Sequence, residues 1–361
     1  MSDDRRLERS SDDRRLLSRF WQSAAGYWRG PRAARAWGLT VALLAIVVLQ
    51  LLSQYWLNRW NRDFFDAIGR KDGIELFKQT LLFVPLAAMS VALAVAAVWG
   101  RMTMQRRWRA WLSENVLRNW MTDERWKRLQ FAHEEHDNPE YRIAEDVRIA
   151  TDAPVDLAVG LLTSLLTALT FIHVLWTVGG AFEFQLAGAH VTVPGYLVIG
   201  AVLYSVAVTG GIVLIGRDLT AVIESKNRTE AQLRAAAGHL RETGEGLAVP
   251  AEFALEQRGI HEALRQVIAA WRALCTQLMR TTIVSHSHFV LAPVVGLALA
   301  APKYLAGDMS LGEVTQAGAA FVLVSGAFNW ISDNYQRLAD WMSSAHRVAH
   351  LLLSLDEIER G

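Results

Sequence analysis

The sequence predicts an all-α membrane protein of six transmembrane helices with long helical extensions outside the lipid. Two observations carry this: where the charges are missing, and how unequal the connections are. Of 361 residues, 20% are charged and 52% apolar, which is unremarkable as an average. Yet Ala36–Asn58, Gln79–Gly100, Leu157–Phe182, Gln185–Gly216, Thr281–Pro302 and Val314–Ser332 contain no Asp, Glu, Lys or Arg at all. A helix needs about 20 apolar residues to cross a bilayer core, and each of these windows has about that length or more. Soluble enzyme, nucleic-acid binder and disordered scaffold are excluded as classes. The net charge of +1 gives no basic field for nucleic acid.

Residues 1–15 form a mixed-charge flexible tail in which Ser2-Asp3-Asp4-Arg5-Arg6 is repeated at Ser11–Arg15. Over 16–35, Leu16, Leu17, Phe20, Trp21, Tyr27 and Trp28 make an apolar stripe beside Arg15, Arg19 and Arg29, predicting an interfacial amphipathic helix. The nine Arg and five acids before the first window are unlike a signal peptide. The membrane domain is 36–332. Alternate connections, counted from the N-terminus, carry 31 of the 37 Lys and Arg, which places both termini on the cytoplasmic side of a bacterial inner membrane. The single Cys275 can form no intrachain disulfide.

Two connections on the termini's side, 101–156 and 217–280, are long, and the opposite ones are short. Trp108, Leu112, Val116 and Trp120 recur every four residues, and 218–240 is rich in Ala, Leu, Glu, Arg and Gln. Spans two to five are therefore expected to continue beyond the lipid as paired helices, turn and return. Residues 333–361 complete the chain as a cytoplasmic helix or linker.

Three segments resemble one branch of ABC half-transporters, the branch of peroxisomal fatty-acyl transporters and SbmA/BacA-like peptide transporters. They are Asn138-Pro139-Glu140-Tyr141-Arg142-Ile143-Ala144-Glu145-Asp146-Val147; Asn227-Arg228-Thr229-Glu230-Ala231 with Arg234 and Leu240–Glu245; and Ala301–Gly312. The resemblance implies an ABC-exporter-type (type IV) transmembrane domain working as a homodimer in the lipid bilayer. It also implies transport of peptides or other bulky amphipathic solutes. Glu140, Tyr141, Thr243 and Gly244 depart from the branch's usual residues. No G-x-x-x-x-G-K-[ST] occurs, so no nucleotide cofactor is expected on this chain. ATP would enter only through a separate ATPase subunit. A proton-driven importer and a non-transporting remnant or scaffold are the alternatives.

The candidate coupling residues are Asn138, Pro139, Arg142, Glu145, Asp146, Asn227, Arg228 and Glu230. Without the resemblance, Asn138 and Pro139 are simply a helix start, and Arg142 and Asp146, at i and i+4, a surface pair. Asn227, Arg228 and Glu230 would be a solvated face. For a proton-driven mechanism, Glu224 and Glu230 are candidate carriers, which requires raised carboxylate pKa values. His286 and His288, with Ser285 and Ser287, are poor lipid-facing surface and are expected to face a cavity or a partner helix. His133 and His136 mimic a metal motif, but HExxH would need His at position 137, which is Asp. No metal and no catalytic residue are expected.

Overall fold

The computed structural model describes residues 16, 18–30, 33–132, 139–186, 189–243 and 250–360. After a short N-terminal helix ending in a 3₁₀ turn at Ala25–Trp28, the elements are α1 (Ala33–Gly69), α2 (Gly73–Met121), α3 (Arg125–Ala132) and α4 (Pro139–Gly179). A hairpin of β1 (Ala181–Leu186) and β2 (Ala189–Pro194) follows. The chain then runs through α5 (Tyr196–Gly216), α6 (Leu219–Thr243), α7 (Pro250–Ala306) and α8 (Leu311–Arg360). Among the described residues six helical runs are long and apolar enough to span a bilayer, α5 and α6 together making one of them.

The helices outlast the lipid. The 57 residues of α7 rise about 85 Å, against about 30 Å of hydrocarbon. Continuation of spans two to five is thus observed in α2, α4, α6 and α7. The sixth continues too, since α8 is unbroken to Arg360. We call the end where these extensions gather the stalk end and the opposite one the hairpin end.

Half of α8's most apolar stretch is buried within the chain, against 6% for α2, so α8 is the central helix and α2 a peripheral one. Two apolar cores result. At the hairpin end, Phe171 and Leu175 of α4, Leu197 and Ala201 of α5, and Ala317, Phe321 and Val324 of α8 pack together. Small residues set the approach of α7 to α8: a Cβ on Gly296 would lie 3.1 Å from the Gly318 Cα. Close backbone contact is how helices gain packing energy where lipid offers no hydrophobic drive. At the stalk end, Trp108, Leu112 and Val116 meet Ile143, Val147, Val348, Leu352 and Leu355. The four-residue period of α2 is the face it presents to α4 and α8.

Two boundaries differ from expectation. Phe182 and residues 185–194 are not membrane helix but an antiparallel hairpin, with Phe182 opposite Val193 and Phe184 opposite Val191. Absence of charge does not distinguish strand from helix. Here Val191, Thr192 and Val193 favour an extended chain, and Gly180 (φ +59°) and Gly195 (φ +62°) close its open end through a 2.9 Å hydrogen bond from Gly195 N–H to the Gly180 carbonyl.

The second concerns 16–35. Part of its apolar stripe packs on protein: Phe20 and Ala24 are fully buried and Tyr27 nearly so, all in the stalk core, while Trp21 is 44% exposed. The segment also bends at Arg29–Gly30, and Ala33–Arg35 already belong to α1. Arg19 anchors it to α8 through Asp356 at 2.6 Å. The tail 1–15 lies outside the described residues.

Candidate coupling site in the stalk

The first turns of α4 carry the segment singled out in the sequence. Between Pro139–Tyr141 and Val147, residues Arg142–Asp146 form a π-helical turn. A π-bulge rotates the side chains beyond it, and such turns gather at functional places. Asp146 is fully buried. Its carboxylate accepts from Arg347 Nε at 2.8 Å and Nη2 at 2.6 Å, a two-pronged pair between residues 201 positions apart. Arg347 is held in turn by Ser343 Oγ (2.6 Å) and Ser344 Oγ (2.9 Å). The hydrogen bond to Asp146 raises the guanidinium pKa still further.

In place of the expected surface pair of Arg142 with Asp146, the buried Asp146 carboxylate is bonded from α4 to a partly exposed arginine of α8. Sequence spacing sees only the partners available on one helix. The π-turn and the packing of α8 decided otherwise.

A second pair repeats the pattern one layer nearer the membrane. Asp156 of α4 is paired with Arg337 of α8 and, at 3.4 Å, with Arg101 of α2. Asp146 and Asp156 are ten residues apart on α4, and Arg347 and Arg337 ten apart on α8. On antiparallel helices that equal spacing, about 15 Å, holds one register. Between the pairs, Gln105 of α2 donates to the Asp152 carbonyl at 2.9 Å, and burial pushes the Asp152 carboxyl up.

Glu145 points elsewhere. It pairs with Arg148 on its own helix, and that hydrogen bond holds its pKa below the usual carboxylate range. Pro139 opens α4; Asn138, His133 and His136 lie outside the described residues.

The second segment is not brought to the first. Asn227 and Arg228 are exposed on α6, which packs extensively only against α7. Glu230 is in an ion pair with Lys226 at 3.1 Å and accepts from Trp271 Nε1 at 3.2 Å, while Lys226 sits 4.8 Å from the Trp271 ring centre. The Lys226 hydrogen bond lowers the Glu230 pKa, opposite to what a proton carrier at neutral pH needs. Glu224 is exposed.

Within the membrane stretch, His288 Nδ1 lies 3.2 Å from the Tyr204 hydroxyl on α5. His286 is exposed and lines an open recess of about 490 Å³ with Thr282, Ile283, Ser287, Val290 and Leu291. The polar run on α7 thus faces away from its own chain at His286 and toward α5 at His288. Among the described residues no group of His, Cys, Asp and Glu could hold a metal ion.

The third segment lies at the hairpin end. Lys303 Nζ donates to the Gly179 carbonyl at 2.7 Å, capping α4. Ser310 and Glu313 form a reciprocal cap at the start of α8, at 2.9 and 3.1 Å. Gly312 N–H donates to Asp66 Oδ1 at 2.8 Å, and Arg62 meets Glu313 at 2.9 Å. A Cβ on Gly312 would fall 2.1 Å from the Arg62 carbonyl, so only glycine permits this contact of α1 with α8.

Arg347, Arg337, Asp156 and Asp66 escaped the sequence reading. The visible signal was the matched ten-residue spacing of opposite charges on two helices, which means nothing until the helices are known to be antiparallel neighbours.

Six membrane-length helices that run on into an ion-paired stalk define the membrane-spanning domain of a transporter. The family model described as ABC transporter transmembrane region 2 matches residues 30–305, and the chain belongs to that family. It is 26% identical over 337 residues to an Escherichia coli K12 protein named inner membrane ABC transporter ATP-binding protein YddA, covering 93% of this chain and 60% of that one. It is 22% identical over 346 residues to the Arabidopsis thaliana ABC transporter D family member 2, chloroplastic, covering 95% and 46%. An uncharacterised ABC transporter ATP-binding protein of Synechocystis is 25% identical over 301 residues, covering 81% and 43%. The chain spans about half the length of these relatives.

Proposed function

We propose that this chain is the membrane-spanning half of a homodimeric, SbmA/BacA-like ABC-type permease of the bacterial inner membrane. It carries peptides or other bulky amphipathic solutes by alternating access, with its stalk and both termini in the cytoplasm. ATP hydrolysis on a nucleotide-binding domain supplied in trans drives it. Family membership supports transport, and the printed names of the relatives support ATP as the energy source. The polar face at Thr282, His286 and Ser287, turned away from its own chain, supports a second copy closing a solute path between two six-helix units.

The observation that carries the coupling role is the Asp146–Arg347 bond. The stalk is the part of the chain that can meet an ATPase, and α8 is the central helix of the membrane bundle. A two-pronged ion pair with its carboxylate buried transmits displacement of α4 to α8. Glu145, Arg142, Asn227 and Arg228, exposed or near the stalk surface, are the docking residues in this reading.

The test is uptake of a fluorescent peptide panel in cells that carry or lack the gene. Asp146→Asn and Glu145→Gln should abolish uptake while the protein stays in the membrane as a dimer. Normal uptake by both variants rejects the coupling role. Uptake that survives ATP depletion but collapses with a protonophore would replace ATP by the proton gradient.

A further inference from the structure

The stalk portions of α2 and α8 share one core, yet they touch each other little, and most of what links them runs through α4. The N-terminal helix joins them directly. Trp21 stands between two indoles from different helices, its ring centre 6.5 Å from that of Trp108 on α2 and 6.2 Å from that of Trp341 on α8. Two residues earlier, Arg19 donates from Nε at 2.8 Å and from Nη2 at 2.6 Å to one oxygen of Asp356, near the end of α8. On the other side of Trp21, Tyr27 and Trp28 lie against Trp111 and Trp108 of α2, and Trp28 Nε1 donates to Thr40 of α1 at 3.1 Å.

These grips bracket the coupling pair. Trp341 and Asp356 are separated by about 22 Å of α8, and Arg347, which holds Asp146, falls between them. The N-terminal helix therefore fixes α8 to α2 on both sides of that bond. The fastenings are of a kind that opens. Trp21 keeps an edge in water, and the side chains of Arg19 and Asp356 are 27% and 26% exposed, so their ion pair is a weak one. A helix this short does not hold its shape in water unaided and is ordered by what it packs on. It leaves toward α1 through the bend at Arg29–Gly30, and Gly26 makes room for Trp111, whose ring would lie 2.7 Å from a Cβ there.

We infer that residues 18–30 form a releasable strap across the stalk. Engaged, it holds α8 to α2 and keeps the stalk core shut; released, it lets the two helices part. Phe20 and Ala24 seat it, and Arg19 and Trp21 fasten it. What its release serves, movement of α8 during alternating access, rests on the permease reading. The fastening itself is a property of the fold.

Val116, fully buried on the face that α2 turns to α4 and α8, reports the parting. In the full chain carrying Cys275→Ser and Val116→Cys, the rate of maleimide labelling in mild detergent is the readout, and it needs no transported solute. Arg19→Glu and Trp21→Ala should each speed labelling at least fivefold. Adding Asp356→Arg to Arg19→Glu should return the rate to within twofold of the parent, which a general loss of folding would not allow. Ala320→Cys, placed instead in the buried hairpin-end core, should stay unlabelled throughout. Parent-like labelling in both single variants overturns the strap, and so does a charge exchange that restores nothing. Should Trp21→Ala also open Ala320→Cys, the charge exchange alone decides. Release is read by uptake: Arg19→Cys and Asp356→Cys, with Cys275→Ser, are joined by a reducible bismaleimide. Uptake of the peptide panel should stop on joining and return on reduction, and uptake that continues in the joined chain overturns release. If the unjoined chain takes up no peptide, the permease reading fails, and the labelling rates still decide the strap.

Discussion

At the scale of single residues, Asp146 shows why a carboxylate can be buried near a membrane. Its two oxygens meet two donors of one guanidinium, so the cost of desolvation is offset by a charge-assisted pair. Removing one partner leaves the other uncompensated. Asp146→Asn is expected to lower stability by about 2 kcal/mol, less than the roughly 3–5 kcal/mol of a fully buried pair because Arg347 keeps contact with water. Arg347→Lys, which keeps charge but not the fork, should fall between the wild type and Asp146→Asn. Unfolding by SDS titration measures both.

Asp152 carries the opposite sign. Burial raises its folded pKa above the unfolded value, so the folded state binds the extra proton between those two values. Stability then falls as pH rises through that window, and the cost is full above the folded pKa. Asp152→Asn should therefore melt at or above the wild-type temperature at pH 8, and the advantage should vanish toward pH 3. A variant that melts lower at pH 8 refutes this account. Residue-level legibility was partial: Asp146 was marked by a motif, but its partner was not.

Among the elements, α8 illustrates how one helix serves two solvents. Its first half packs small residues and Phe321 against α4, α5 and α7. Its second half puts Val348, Leu351, Leu352 and Leu355 into the stalk core. Ending the chain after Ser344 deletes that second face, and the expected result is a stalk open to protease at Trp108–Met121 while the membrane helices stay protected. The two ion pairs between α4 and α8 lie about 15 Å apart and share no partner. Losses from Asp146→Asn and Asp156→Asn should then add within about 0.5 kcal/mol in the double variant. A large excess would mean that the helices separate as one unit. Spans two to five could be read as continuing because their periodicity persists where charge returns. The hairpin at 181–194 could not, because an uncharged run is compatible with strand or helix and only the glycine-closed pairing of Phe182 with Val193 settles the matter.

For the whole molecule, orientation is the property on which the transport reading stands, and the chain contains its own probe. Cys275 is the single cysteine and is exposed on the stalk portion of α7. A membrane-impermeant maleimide should label it in inside-out vesicles and leave it unlabelled in intact cells; the reverse pattern puts the stalk outside and ends the proposal. The sequence by itself determined that there are six crossings and that the stalk helices leave the lipid. Hydrocarbon tolerates neither charge nor unpaired backbone, and this constraint is written locally, window by window. Tertiary structure alone decided that Phe20 and Tyr27 of the N-terminal segment pack into the stalk core, and that Asp146 answers to Arg347 and Asp66 to Gly312. Those choices depend on which helices become neighbours, and a contact across 201 or 246 residues leaves no periodic trace in the chain.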